Sequence, residues 1–175
     1  MLTPRGRQAW LTAHIVSSVG WIGAVAAFVV LDLATAFSAK EPLLRAAYIA
    51  MDLVARYAIV PLAMWALATG LVVSLGTRWG LFRHYWVVVS LALTVLSTLV
   101  LMVQLPLIGQ RAELAADPQA TAGQVREAGT MLVHSVGGIV VLLAILVLNV
   151  AKPKGLTPYG WRRQQEEGSA GTKVP

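Results

Sequence analysis

The sequence predicts an all-α membrane protein: a four-transmembrane-helix, up-down-up-down bundle with both termini cytoplasmic. Three observations predict it. Apolar residues form 57% of the 175-residue chain and charged residues 13%, against about 45–50% and about 25% in soluble domains. One core of this size cannot hide that much apolar surface, so the excess faces lipid. Four apolar stretches each approach the roughly 20 residues that cross a bilayer, and Lys and Arg fall unequally on their two sides.

After an N-terminal tail at 1–8, the first helix is expected over about 9–37. Arg5 and Arg7 imitate the start of a signal peptide, and Ala34, Thr35 and Ala36 imitate a cleavage motif. The apolar run is far longer than the roughly 7–15 residues of a signal peptide's apolar core, so a retained helix is expected. The second helix spans about 43–75, with Pro61 expected to kink it by removing a backbone donor. A tight turn containing Gly76 and Gly80 leads into the third helix, about 84–109. A polar, Ala-rich stretch at 110–122 with a turn at Asp117 and Pro118 precedes the fourth, about 121–150. These four helices form one transmembrane domain, 9–150. Beyond Lys152 and Pro153 the tail, 151–175, reads as largely disordered. Small residues (Ser17, Gly20 and Gly23; Ser135, Gly137 and Gly138) point to contact between the first and fourth helices.

Arg5, Arg7, Arg78, Arg83, Lys152, Lys154, Arg162, Arg163 and Lys173 fall on one side of the bundle. Lys40, Arg45, Arg56, Arg111 and Arg126 fall on the other, diluted by Glu41, Glu113, Asp117 and Glu127. The positive-inside rule places the richer side, with both termini, in the cytoplasm of a cell whose inner (plasma) membrane holds the chain. Trp10, Trp79, Tyr85, Trp86, Tyr159 and Trp161 fall at the inner boundary as an aromatic belt. The net charge of +6 is of this flanking kind, with no aromatic-interleaved basic surface, so lipid headgroups rather than nucleic acid are the expected partner. The absence of cysteine excludes disulfides, thiolate catalysis and iron–sulfur ligation within the chain.

Ionisable groups inside a membrane are costly and mark candidate sites. They are His14 and Asp32 on the first helix, Asp52 and Arg56 on the second, His84 opening the third and His134 on the fourth, with Gln104 as an uncharged addition. At about 1.5 Å per residue, His84 lies near the inner boundary and His14 about 8 Å above it, His134 at about 25 Å, Gln104 and Arg56 at about 30 Å, and Asp32 and Asp52 at about 35 Å. An inner histidine layer and an outer Asp–Arg–Gln–His layer result. Two axial haem ligands need one depth, whereas His14 and His134 differ by about 17 Å on straight helices. In the outer layer Asp52 and Arg56 can pair at i, i+4, with Asp32 joining them. The alternative is an outward-opening polar pocket lined by Arg56, Gln104 and His134 that takes an anionic ligand, a haem propionate or a proton. Met131, one turn before His134, adds a weak copper-binding pattern.

The first helix reads His14-x6-Trp21-x-Gly23, the second runs from Pro61 to Gly70 and Leu71, and the third opens Trp79 to His84 and Trp86. The fourth reads Leu132-Val-His134-Ser-Val-Gly-Gly138 and ends Lys152-Pro153, with Tyr159 beyond. Over nearly its whole length the chain resembles an uncharacterised four-helix integral membrane family typical of actinobacteria. More distantly it is similar to HemJ-type protoporphyrinogen oxidases and CopD-like membrane proteins. The HemJ resemblance implies a helix-one haem ligand at His14. The chain departs from that pattern where HemJ has an arginine after the tryptophan (here Val30, close to Asp32) and a helix-three lysine (here Ser90).

The leading expectation is a non-enzymatic or redox-accessory protein binding haem b, with His14, His134 and His84 as candidate ligands and Trp21 beside them. The alternatives are a binding or transport module with the outer pocket (Arg56, Asp32, Asp52, Gln104, His134), or a structural subunit assembled with itself or with another membrane protein. No nucleophile–base pair, phosphate-binding loop or paired-carboxylate site is present in the sequence.

Overall fold

In a computed structural model, which describes residues 3–77 and 80–171, the chain is an all-α bundle with four helical spans long and apolar enough to cross a membrane. It is a multi-pass membrane protein. The calls made on Arg78, Trp79 and Lys173 lie outside the described residues. Helix α1, Pro4–Phe37, starts with Thr3 accepting a hydrogen bond from the Gly6 N–H at 3.2 Å and Pro4 in its first turn. At 34 residues it is about 51 Å long, more than the apolar thickness of a bilayer. Its buried residues are Ser17, Trp21, Val25, Phe28, Asp32 and Thr35. That alternation of four- and three-residue steps draws one narrow seam and leaves Val16, Val19 and Val30 exposed, as a lipid-facing surface requires.

Residues 38–40 reverse the chain into the second span, which has three parts. Helix α2 is Glu41–Val54, a π-helical turn covers Ala55–Ile59, and α3 is Val60–Gly76. The kink expected at Pro61 takes this form: the proline sits in the first turn of α3, and the chain widens just ahead of it, with the Val60 N–H bonding back to Ala55. Ala47, Ala55, Ala63 and Ala66 are buried along this span, so neighbouring backbones approach closely.

Helix α4, Tyr85–Ala116, runs seven residues past the expected end at 109. Ile108, Ala112 and Ala115 are buried, so the polar stretch keeps an apolar stripe that holds it helical. The fourth span is interrupted. A single-turn helix α5, Ala122–Glu127, opens on a capping box between Thr121 and Gln124, and α6, Leu132–Ala151, follows after a break. Gly129, with φ +69°, makes that break, a backbone that only glycine adopts without strain. Helix α7, Pro158–Gly171, occupies most of the tail expected to be disordered. A local cap starts it, the Thr157 hydroxyl accepting from the Gly160 N–H at 3.1 Å, and a tertiary pair holds it, with Arg83 gripping Glu167 through two bonds at 3.1 and 2.7 Å.

The spans pack in cyclic order. Helix α1 lies against α2, α3 and α6, and α4 lies against the same three. Both ends of the described chain are on one side. The first and fourth spans do touch, and of the small residues expected there Ser135 takes part while the glycines do not: Gly20 faces Leu62 of α3, and Gly23, Gly137 and Gly138 have open space beside them. The contact is polar. The Asp32 carboxylate, fully buried, accepts the Met131 N–H at 3.0 Å and the Ser135 hydroxyl at 2.7 Å. Tyr48 donates to the Gly129 carbonyl at 2.8 Å, and Arg45 donates to the carbonyls of Ala115, Asp117 and Ala120. At the inner end the Tyr85 and Thr157 N–H groups bond Gly155 and Arg83 carbonyls, tying the start of α4 to the end of the fourth span.

Removing the Asp32 side chain leaves two buried donors unmet, at about 1–3 kcal/mol each. Asp32→Ala is therefore expected to shift unfolding in a detergent titration by about 2–6 kcal/mol, and Asp32→Asn, which keeps an acceptor oxygen, by less. A superimposable Asp32→Ala titration would refute this role. At the inner end, the Arg83 hydrogen bond holds the Glu167 carboxyl below the usual carboxylate range. A depressed folded value contributes stability at higher pH that is lost as pH falls through it. A spin label at Gln164 in this cysteine-free chain is expected to gain mobility as pH falls below the usual carboxylate range, and Glu167→Gln to be mobile throughout. Equal mobility of the parent label across that range would count against the pairing.

Candidate functional site

Three places carry the residues singled out in the sequence. The first is His14, half-buried between α1 and α3. Its Nδ1 lies 3.1 Å from the Ala66 carbonyl and 3.2 Å from the Thr69 hydroxyl. A carbonyl only accepts, and Thr69 already donates to the Trp65 carbonyl at 2.6 Å, so Nδ1 carries the proton. Nε2 keeps its lone pair and has no hydrogen-bond partner among the described residues. The ring lies flush on Gly70, where a Cβ would sit 3.0 Å from Cε1. A backbone carbonyl on one ring nitrogen with the other left basic is the usual orientation of a ligating histidine, so His14 fits the role of one axial ligand to haem. Trp21, two turns along the same seam, is buried in the core.

The partner histidines do not converge on it. Asp32 holds Met131 and Ser135, which flank His134, so His134 lies at the level of Asp32. That level is about 27 Å along α1 from His14. His134 is exposed on the outside of α6, whereas Met131 is buried, so the two face apart. His84 pairs its backbone with Leu156, and its ring lies 6.3 Å from that of Trp86. Among the described residues no three His, Cys, Asp or Glu gather as a metal site.

The second place is the buried outer core. Asp32 turns away from Asp52 and Arg56 and serves α6. Tyr48, buried in the same core, donates to the Gly129 carbonyl, and the Arg111 Nη1 is buried with no partner among the described residues.

The third is a pair of clefts around Arg56, in the π-turn. One of about 490 Å³ is lined by Arg56, Met102, Leu105, Pro106, Gly109, Gln110 and Glu113. The other, of about 220 Å³, lies between Asp52, Arg56 and the Gly109–Ala116 face of α4. Arg56 gives its Nε to Asp52 Oδ1 at 2.7 Å, the i, i+4 pair expected from the sequence. Its two Nη groups have no acceptor among the described residues. The guanidinium rests over Gly109, where a Cβ would collide with it. Gly109 therefore sets how deeply the arginine lies. Gln104 and His134 line neither cleft.

Glu113, Gly109 and Pro106 were not singled out in the sequence. Their signal was present: Pro106, Gly109 and Glu113 recur at helical spacing on one face, and a proline inside α4 leaves the Met102 carbonyl without its helical donor. Arg111 and Tyr48 gave no such signal, because an interfacial arginine and a tyrosine are ordinary at a span's end. The chain matches no protein-family model, no curated protein and no solved structure.

Proposed function

We propose that this protein is a plasma-membrane binding module whose ligand site is the outward-opening cleft around Arg56, taking an amphiphile from the outer leaflet. The observation that carries this reading is the guanidinium with free Nη donors, set by Gly109 at the head of a cleft whose deeper wall is Met102, Leu105 and Pro106. A bilayer's apolar core is about 30 Å thick, or about 20 residues of helix. Counted from Tyr85, the first residue of α4, that core ends near Leu105. Arg56 and Gly109 then stand at headgroup level, and Met102 to Pro106 lie against the upper part of the lipid tails. A π-turn at this position is also the kind of helical irregularity that recurs at functional sites. The excess of Lys and Arg on the side of the two termini supports an outer-face position for the cleft.

A second reading, a b-type haem bound through His14, is favoured by the fixed Nδ1 proton and the uncommitted Nε2. When bound, the haem would supply one-electron chemistry. His14 would hold it through Nε2, with Ala66 and Thr69 fixing the ring.

Protein extracted in mild detergent is expected to retain a bound amphiphile, seen by native mass spectrometry. Retention should fall about tenfold in Leu105→Trp, which fills the cleft, and in Arg56→Leu, which removes the donors. Retention that both variants leave unaltered would sink the first reading. For the second, protein prepared with ample haem should show a Soret band that His14→Ala abolishes. A colourless, folded preparation would eliminate it.

A further inference from the structure

The charges around the cleft are not those of a simple anion site. Among the described residues Arg56 is the only cation lining either cleft, while Asp52 and Glu113 are carboxylates, and Glu113 lines both. Asp52 is committed to Arg56. No ion pair among the described residues involves the side chain of Glu113. It stands one helical turn, about 6 Å, further out along α4 than Gly109, on which Arg56 rests. A purely anionic headgroup seated on Arg56 would face the Glu113 carboxylate one turn above. A purely cationic one would meet the guanidinium.

From this we infer that the cleft selects a zwitterionic aminophospholipid, with its phosphate on the free Nη groups of Arg56 and its primary ammonium on Glu113; the inference rests on the cleft being a lipid site. Two methylene groups separate phosphate from ammonium in an ethanolamine headgroup, a reach that suits one turn of helix. The free Nη hydrogens present the planar fork that suits phosphate oxygens. The choice of a primary over a quaternary ammonium follows from the lining. Quaternary ammonium groups are bound by aromatic faces, and neither cleft is lined by Phe, Tyr or Trp. A carboxylate such as Glu113, with the Gln110 side-chain amide a turn below, offers acceptors to N–H donors instead. The tail then follows Leu105, Pro106 and Met102 downward, with the exposed Val103 and Leu99 on the adjoining lipid-facing surface.

The test uses the full chain in phosphatidylcholine vesicles carrying a trace of a diazirine-tailed probe with an ethanolamine, choline or glycerol headgroup. The ethanolamine probe is expected to label the 102–113 segment about tenfold more than either other probe. Glu113→Gln should erase that preference while labelling persists, and Glu113→Lys should transfer it to the anionic glycerol probe. Equal labelling by all three probes in the parent, or a preference for the choline or glycerol probe, would overturn the inference and leave the lipid cleft standing. Labelling of the segment by none of them would overturn the cleft as a lipid site as well.

Discussion

Met131 caps the start of α6 while buried at the outer end of the bundle, where its N–H has little water to turn to. Asp32 of α1 meets that need with Oδ1 and takes the Ser135 hydroxyl on Oδ2. A buried carboxylate is costly unless fully bonded, and here a backbone N–H and the Ser135 and Thr35 hydroxyls bond it. The start of a helix also favours negative charge. The position of the fourth span depends on this contact, and through it so does the outer connection. With α6 begun at Leu132, the chain before it must turn sharply, Gly129 makes the turn, and Tyr48 ties it to the second span.

The second span solves a different problem. Pro61 cannot donate to the turn before it, and the chain widens into a π-turn over Ala55–Ile59 instead of bending at the proline alone. An added residue in a turn rotates the side chains on its outer side relative to those beyond, and Arg56 falls within that turn. On α4, Pro106 and Gly109 thin the opposing wall. The clefts therefore sit where two helical irregularities face each other. Arg56 is held there with its Nε paired to Asp52, which offsets part of the cost of a charge on a membrane-spanning segment.

Much of this was legible in the residues. The four spans, their order and the shared side of the termini follow from hydropathy and length, which are properties of consecutive residues. The Asp52–Arg56 pair was legible because i, i+4 spacing on one helix fixes proximity by itself. Asp32 shows the limit. Depth placed it beside Asp52 and Arg56, yet it serves α6, because depth gives one coordinate and leaves the rotation of each helix about its own axis open. His134 shows a second limit: its depth was counted along a straight helix, while the fourth span breaks at Gly129 and restarts with Asp32 as its anchor. The helical tail was missed because Glu167 and Arg83 lie 84 positions apart, beyond any local pattern.

By itself, then, the sequence determined the four membrane-crossing spans and the order of polar residues along each, since the cost of leaving apolar or charged groups in the wrong medium acts on every residue wherever its neighbours are. Only the tertiary structure decided which polar groups meet. Helix rotation, the π-turn, the break before α6 and the docking of α7 are set by packing and hydrogen bonds between segments far apart in the chain. The same contacts separate His134 from His14, turn Asp32 inward to α6, and leave Arg56 and Glu113 facing one cleft.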